Sequence, residues 1–318
     1  MDPELDQSDP PTLPARAASS HKGTHGTVVV IGGHAGGEGD TRMVGAPALA
    51  GIAALRAGAG LVRLAVPEPI AGHVLEVCPS ATAVALPVDV RGDLRSHEAA
   101  GVLDGVLEDA QAVVLGPGLG SGASVEQVVY RVLRGAGGGS TPVVLDADGL
   151  NAAASMGLRG GDLASPTVLT PHPGEFRRLA EGLRLSGDPT SDDERPGLCV
   201  AMARTLGCVV VLKGAGTVVS DGARAWVCRR GHPCLATGGT GDVLAGVLGG
   251  LLAQFAPSLV VGGRMPAGSV SVYDCARIGV EAHARAGEAW AREHRASAGL
   301  LATELAGLIP AELERVRG

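Results

Sequence analysis

Short runs of β-branched residues alternate with helix-length segments along most of the chain, and this alternation constrains the fold more than any other feature. The runs that predict strands cover residues 27–31, 61–66, 112–115, 143–146, 167–170 and 209–213. Helices are predicted over 46–57, 124–134, 242–253 and 277–292, and a hairpin over 217–220 and 225–227. Strands that alternate with helices form a mostly parallel sheet covered on both faces. The predicted fold class is therefore α/β.

The composition fits one large domain with an aliphatic core. Of 318 residues, 45% are hydrophobic but only 2% are aromatic, so Val, Leu, Ala and Gly must fill the interior. We expect a single domain over residues 26–318, preceded by a flexible leader over 1–25 that is acidic and rich in Pro and Ser. The leader has no basic start and no apolar segment, so it does not resemble a signal peptide.

Charge, cysteines and hydropathy argue against several kinds of partner. The formal net charge of −7 gives no reason to expect nucleic-acid binding. The six cysteines form no CxxC pair and no zinc spacing, so reduced thiols and a cytoplasmic location are expected. Residues 243–263 are long and apolar enough to span a bilayer, but they include Gln254, Pro257 and Ser258. We therefore expect a buried helix, a turn at Pro257 and a second apolar piece, and no membrane partner.

The segment LATGGTGDVLAGVLGG, residues 235–250, places a glycine-rich loop directly before an apolar run of helix length. Glycines let the backbone approach a ligand, and a helix that begins there presents free N–H groups and a positive dipole end. The candidate anion hole, with phosphate as the expected anion, consists of Gly238, Gly239, Thr240 and Gly241. Asp242 either caps this helix or acts as a base beside the phosphate, and the helix dipole is expected to keep it ionised.

Lys213 and His172 also lie at predicted strand ends, where ligands bind in parallel sheets. The chain has only two lysines, so a lysine kept before GAGT indicates a phosphate or nucleotide contact rather than generic surface charge. His172 lies between two prolines in TPHPGEF. It either contacts substrate or belongs to a rigid turn capped by Glu175. The strand-end motifs are expected to converge on one cleft.

Two aspartates and an early glycine loop admit several interpretations. Asp146 and Asp148 in LDADGLN could bind a metal, cap a turn or form hydrogen bonds across the cleft, and no metal ligand is assigned. The loop over 32–39 follows a strand but lacks GxGxxG spacing, so a mobile ligand-covering loop is favoured over a dinucleotide-binding motif.

Six motifs together resemble one known family. The segments GAPALAGIAALRAGAGLVRLAVPE, VVLGPGLG, VVLDADGLN, VLTPHPGEF, VVLKGAGTVV and LATGGTGDVLAG are similar to those of the ADP- or ATP-dependent NAD(P)H-hydrate dehydratases, in the same order. These enzymes belong to the ribokinase-like superfamily. The resemblance implies a ribokinase-like three-layer α/β/α fold with a central, mostly parallel sheet.

The resemblance also implies a repair enzyme. Such an enzyme uses a nucleotide to phosphorylate the ring hydroxyl of hydrated NADH or NADPH, and loss of phosphate restores the dihydronicotinamide. By position, Asp242 would be the catalytic base. The hydrate site would be lined by Ala46, Gly118, His172 and Asp242. The nucleotide would contact Lys213, Gly214, Ala215, Gly216, Thr217 and Gly241. ADP is the expected co-substrate, ATP is the alternative, and Mg²⁺ would accompany the nucleotide.

Further partners and departures follow from the same resemblance. A homo-oligomer such as a tetramer is expected, together with a separate epimerase for the same metabolite, because the leader is too short for an epimerase domain. The chain departs from the family pattern at Met43 and Val44, from His232 to Cys234, and at Gly149. These departures concern the substrate loops more than the chemistry.

Two other functions remain open. A small-molecule kinase of the same superfamily, acting on a vitamin-precursor alcohol, would share the aspartate base and the anion hole but release a phosphorylated product. A non-catalytic nucleotide sensor would bind nucleotide without turnover, and the presence of both Asp242 and Lys213 argues against it.

Overall fold

A single mixed sheet runs through the computed structural model, which describes residues 4–36, 41–135, 140–256 and 268–317. The strands are β1 Glu4–Leu5, β2 Thr27–Ile31, β3 Leu61–Pro67, β4 Thr82–Leu86, β5 Ala112–Leu115, β6 Val143–Leu145, β7 Thr167–Leu169, β8 Val209–Leu212, β9 Val218–Ser220 and β10 Arg224–Val227. Their order across the sheet is β1-β10-β9-β8-β7-β6-β5-β2-β3-β4. Neighbouring strands are parallel except where β9 pairs with β8 and β10.

Helices cover both faces of this sheet. They are α1 Gly45–Arg56, α2 Ala71–Val77, α3 Ser96–Leu107, α4 Ala123–Leu133, α5 Asp148–Ser155, α6 Pro173–Leu183, α7 Arg195–Leu206, α8 Thr240–Phe255, α9 Val272–His294 and α10 Ala302–Glu314. Alternate residues of β2 point to opposite cores: Val28 and Val30 pack with α1, α8, α9 and α10, whereas Val29 and Ile31 pack with α3 to α7. This arrangement confirms the three-layer α/β/α fold.

The predicted elements are all present, and the strand bounds agree within one residue. Helix α9 begins at Val272 rather than at residue 277, because Ser271 caps it by accepting a 3.0 Å hydrogen bond from the N–H of Asp274. The sequence did not predict the edge strands β1 and β4, nor α2, α3, α5, α7 and α10. Strand β1 has only two residues, and β4 is partly exposed and contains two alanines, which are less common in strands than β-branched residues.

Residues 4–25, for which the composition predicts a flexible leader, lie along the domain in the structure. Strand β1 pairs in parallel with β10, and Leu13 is 1% exposed. The Asp6 carboxylate accepts a 3.1 Å hydrogen bond from the Tyr273 hydroxyl and lies 3.5 Å from the guanidinium of Arg277. These side-chain contacts link the segment to α9. They cannot be predicted from local sequence patterns, because the contacting residues are far apart in the chain.

Helix α8 is buried between α1 and α9 and carries the glycine-rich loop at its N-terminus. A Cβ on Gly246 would overlap the carbonyl of Ala50, so glycine is what lets α8 approach α1. Among the described residues, no helix is both long and apolar enough to cross a membrane. The turn predicted at Pro257 lies outside the described residues, as does the loop over 37–40.

Candidate active site

The loops after three neighbouring strands meet at one ion pair. Asp146 follows β6, Thr170 follows β7 and Lys213 follows β8. The ammonium of Lys213 donates to Asp146 Oδ1 at 2.7 Å, and the Thr170 hydroxyl donates to the same oxygen at 2.7 Å. The strand ends therefore converge, as expected for ligand-binding loops of a parallel sheet.

Lys213 lies between carboxylates and the first turn of α8. Its Nζ is 3.9 Å from Glu175 Oε2, and a Cβ placed on Gly241 would lie 3.5 Å from it. Burial lowers the pKa of Lys213, but the negative charges of Asp146 and Glu175 outweigh burial and raise the pKa above its usual value. The ammonium is therefore charged and held beside the glycine-rich loop.

Asp242 lies in the first turn of α8, but it does not cap the helix. The N-cap is Gly239, whose φ is 90°. Burial and then the negative charge of Asp146 raise the pKa of Asp242 to about 7, while Lys213 opposes this rise. The sequence predicts that the helix dipole keeps Asp242 ionised; burial acts against this, and a pKa of about 7 leaves the carboxyl ionised only in part at pH 7. A carboxyl group that titrates near pH 7 suits a general base.

His172 lies in a rigid turn, which is one of the two roles that the sequence allows for it. Its Nδ1 accepts a 3.0 Å hydrogen bond from the N–H of Gly174, and Glu175 Oε2 accepts a 2.8 Å hydrogen bond from the N–H of His172. Burial lowers the pKa of His172, with help from the positive charge of Lys213. The neutral ring then carries its proton on Nε2, and the side chain remains half exposed. Its substrate contact stays a prediction.

Ala46 and Gly118 are neighbours in space. Gly118 has a φ of 63°, and a Cβ there would lie 2.9 Å from the Cβ of Met43 and 3.2 Å from the Cβ of Ala46. Asp148 Oδ2 accepts a 2.9 Å hydrogen bond from the N–H of Gly120, which ties the GPGLG loop to the start of α5. Of the interpretations of Asp148, the structure therefore shows hydrogen bonding between loops. The described residues contain no group of three or more His, Cys, Asp or Glu that could hold a metal ion.

A cavity of about 530 Å³ lies beside the N-terminus of α8. It is lined by all the residues predicted to contact the nucleotide, namely Lys213, Gly214, Ala215, Gly216, Thr217 and Gly241. Apolar side chains also line it, namely Val227, Leu235, Leu244, Val280 and Ala284. Asp242 and the other predicted hydrate-site residues do not line this cavity. The mixture of apolar wall and convergent backbone groups is typical of small-molecule sites.

His283 on α9 also lines this cavity, and the sequence analysis missed it. Its Nε2 lies 2.9 Å from the carbonyl oxygen of Thr240, which can only accept, so Nε2 donates. Burial lowers the pKa of His283 to about 4, and the ring is neutral. One histidine in a long amphipathic helix gives no local signal, because only the tertiary fold brings α9 to α8.

Known proteins are similar to this chain in sequence and in structure. Residues 28–311 match the model of a family described as NAD(P)H-hydrate dehydratase. The chain is 34% identical to an ADP-dependent (S)-NAD(P)H-hydrate dehydratase of Xanthomonas campestris pv. campestris, over 95% of this chain and 93% of that protein. The structure of a Bacillus subtilis ADP/ATP-dependent NAD(P)H-hydrate dehydratase, co-crystallised with ATP and Mg²⁺, has a TM-score of 0.71 and 29% identity. The alignment covers 96% of this chain and 95% of that one.

Other curated relatives are longer than this chain. A bifunctional NAD(P)H-hydrate repair enzyme of Gloeobacter violaceus is 41% identical over 76% of this chain but only 43% of its own length. The chain spans about half the length of the bifunctional relatives it matches.

Proposed function

The chain belongs to the NAD(P)H-hydrate dehydratase family, and from this membership we propose that it dehydrates hydrated NADH and NADPH at the expense of a nucleotide. ADP is the proposed co-substrate, because one relative that the chain matches over most of both lengths is named ADP-dependent. ATP is the alternative. The observation that carries the proposal is the position of Asp242, with its pKa of about 7, in the helix turn that adjoins Lys213 and the cavity.

Asp242 removes the proton of the ring hydroxyl in this proposal. A carboxylate with a pKa near 7 accepts a proton more readily than an ordinary aspartate and is still substantially ionised at neutral pH. The hydroxyl oxygen attacks the terminal phosphoryl group, and the bond from that phosphorus to the bridging oxygen breaks, leaving AMP when ADP is used. The N–H groups at the start of α8 stabilise the charge on the transferring group.

Elimination then completes the dehydration. The bond between the ring carbon and its phosphorylated oxygen breaks, and inorganic phosphate leaves with that oxygen. The neighbouring ring carbon loses a proton to water, and the electron pair of that C–H bond forms the double bond of the dihydronicotinamide. Phosphorylation makes this step feasible because phosphate is a far better leaving group than hydroxide.

The carboxylates of the site fit a magnesium ion carried by the nucleotide. The charges of Asp146 and Asp148 both raise the pKa of Asp242, which shows a negative local field that a dication would offset. Mg²⁺ is usually held by one or two carboxylates together with substrate phosphates. Asp148, which is half-buried, would supply such a carboxylate, whereas Asp146 is 1% exposed and already accepts from Lys213 and Thr170; the ion would neutralise phosphate charge.

An absorbance assay tests the proposed function. The protein is incubated with hydrated NADH, Mg²⁺ and either ADP or ATP, and the dihydronicotinamide absorbance and inorganic phosphate are followed. We expect recovery of absorbance with one phosphate released per NADH formed. A small-molecule kinase would consume nucleotide without releasing phosphate, and a sensor would bind nucleotide without turnover. No recovery with either nucleotide would overturn the proposal.

Asp242→Ala supplies the matched negative control for this assay. The expected result is loss of turnover with the fold and nucleotide affinity largely preserved. Asp104→Ala removes a carboxylate from the exposed face of α3, where it pairs with Arg131, and should leave turnover unchanged.

A separate epimerase, a homo-oligomeric state and a cytoplasmic location stay proposals. Size-exclusion chromatography with light scattering tests the oligomeric state.

A further inference from the structure

A buried arginine lies directly beneath the KGAGT loop. Arg195 opens α7, and only 4% of its surface is exposed. Its guanidinium donates to the carbonyl of Leu212 at 2.9 Å and to those of Lys213 and Gly216 at 3.3 Å each. A further hydrogen bond of 2.9 Å reaches the carbonyl of Pro189. One side chain therefore holds three carbonyl groups at the end of β8 and in the loop that follows.

These contacts fix the direction of the loop's N–H groups. Across a trans peptide, the C=O of one residue and the N–H of the next point in opposite directions. Because the carbonyls of Lys213 and Gly216 face Arg195, the N–H groups of Gly214 and Thr217 face away from it. Both residues line the cavity. The N–H of Gly214 donates to no described acceptor, and the hydroxyl of Thr217 donates to the Gly214 carbonyl at 2.9 Å across the turn.

Gly214 shows how closely the loop rests on the guanidinium. Its φ is 143°, and a Cβ there would lie 3.0 Å from Arg195 Nη1 and 3.1 Å from Nη2. The loop thus packs flat against a planar cation, a geometry that a lysine ammonium with its single nitrogen does not reproduce.

Arg195 forms no ion pair within 4 Å among the described residues, and the negative charge of Asp192 acts on it only from farther away. Lys213, by contrast, lies 2.7 Å from Asp146 and 3.9 Å from Glu175, so its charge is largely offset. The carbonyl dipoles around Arg195 compensate its charge only in part. Arg195 therefore places positive charge beneath the loop, which favours an anion bound on the opposite side of the loop.

We propose that Arg195 is a positioning residue of the nucleotide site. It holds residues 213–217 so that the N–H groups of Gly214 and Thr217 meet the nucleotide phosphates, and it adds positive charge beneath them. The identity of the ligand as a nucleoside diphosphate or triphosphate rests on the proposed function. The inference concerns the binding of that ligand, so it can be tested without turnover.

The test compares Arg195→Met with Arg204→Met. Arg204 is on the same helix and also donates to a backbone carbonyl, that of Gly222 at 2.9 Å, but this carbonyl lies in the β9–β10 turn outside the cavity. Kd for ADP with Mg²⁺ is measured by calorimetry for the full chain. We expect Arg195→Met to weaken ADP binding at least tenfold and Arg204→Met to change it less than twofold, with a larger loss of Tm for Arg195→Met because Arg195 is buried and bonds four carbonyls.

Arg195→Lys provides a second test of the proposal if Arg195→Met does not fold. The lysine retains the charge but cannot reach three carbonyls together, so we expect an intermediate loss of ADP affinity. In turnover assays, KM for the nucleotide should rise while KM for the hydrate stays within about twofold. An unchanged Kd for ADP in a folded Arg195 variant would overturn the inference. If the wild-type protein binds ADP but does not dehydrate, the proposed function fails while this inference is still tested by binding.

Discussion

Lys213 donates a 2.7 Å hydrogen bond to the buried carboxylate of Asp146, and the two partners act on Asp242 in opposite directions. Burial is the largest cause that raises the pKa of Asp242 to about 7. The negative charge of Asp146 adds to this rise, and the positive charge of Lys213 opposes it. The ion pair therefore tunes the group that is proposed to remove the substrate proton.

Removing the charge of Asp146 should move the acidic limb of the pH profile to lower pH, and removing the charge of Lys213 should move it to higher pH. With Asp146→Asn the pKa of Asp242 falls, and with Lys213→Met it rises, each by on the order of one pH unit. Activity requires the ionised carboxylate, so kcat/KM for the hydrate should extend to lower pH in the first variant and be lost earlier in the second. Asp104→Asn, which changes a carboxylate on the exposed face of α3, is the control and should leave the acidic limb unchanged. Shifts of the same sign in both variants would contradict the assignment of Asp242 as the base.

Asp242→Asn should lower turnover and raise the stability of the folded protein above neutral pH. The pKa of Asp242 is about 7 in the folded protein and about 3.8 in the unfolded chain, so folding favours the protonated form. Stability is therefore lost as pH rises from about 4 to about 7. The neutral amide removes this loss, with a gain on the order of a few kcal/mol at pH 8 and little gain at pH 4.

Thermal unfolding at the two pH values measures this effect, and turnover is measured on the same preparations. We expect less than a tenth of wild-type kcat, a barrier increase of at least about 1.4 kcal/mol. Equal Tm values of wild type and variant at pH 8 would show that Asp242 is not held in a desolvated site.

The sequence could predict the strands well but not the contacts between their ends. The central strands are continuous runs of Val and Leu bounded by glycine loops, which is a local signal. That Lys213 pairs with Asp146, 67 positions away, depends on which strands are neighbours in the sheet. The raised pKa of Asp242 could not be predicted for a related reason, because helix position is local whereas burial is tertiary. Arg195 and His283 act on backbone carbonyls of distant segments and have no motif.

His283 should make the folded protein sensitive to acid. Its pKa is about 4 in the folded protein and about 6.5 when unfolded, because burial disfavours the charged ring. Its contribution to stability is complete above pH 6.5 and is lost as pH falls toward 4. His283→Gln keeps a donor for the Thr240 carbonyl but does not titrate, so the fall in Tm between pH 7.5 and pH 5 should become smaller.

His294→Gln is the matched control for this measurement. His294 is on the same helix and its Nδ1 bonds the carbonyl of Trp290 at 3.0 Å, but it does not line the cavity. His283→Leu removes the donor altogether and should raise KM for the nucleotide several-fold, since the first turn of α8 loses a support. A His283→Gln protein with the acid sensitivity of the wild type would show that another group causes it.

Gly118→Ala should weaken binding of the hydrate without affecting the nucleotide. At Gly118 the φ of 63° and the nearby Cβ atoms of Met43 and Ala46 both oppose a side chain, so the loop must shift where the hydrate is predicted to bind. Gly157→Ala is the control, because Gly157 has a φ of 66° but no atom within 4 Å of the added Cβ. Both variants should lose about 1 kcal/mol from backbone strain. Only Gly118→Ala should raise KM for the hydrate, by fivefold or more, with KM for ADP unchanged in both. Equal hydrate KM values for the two variants would remove Gly118 from the predicted hydrate site.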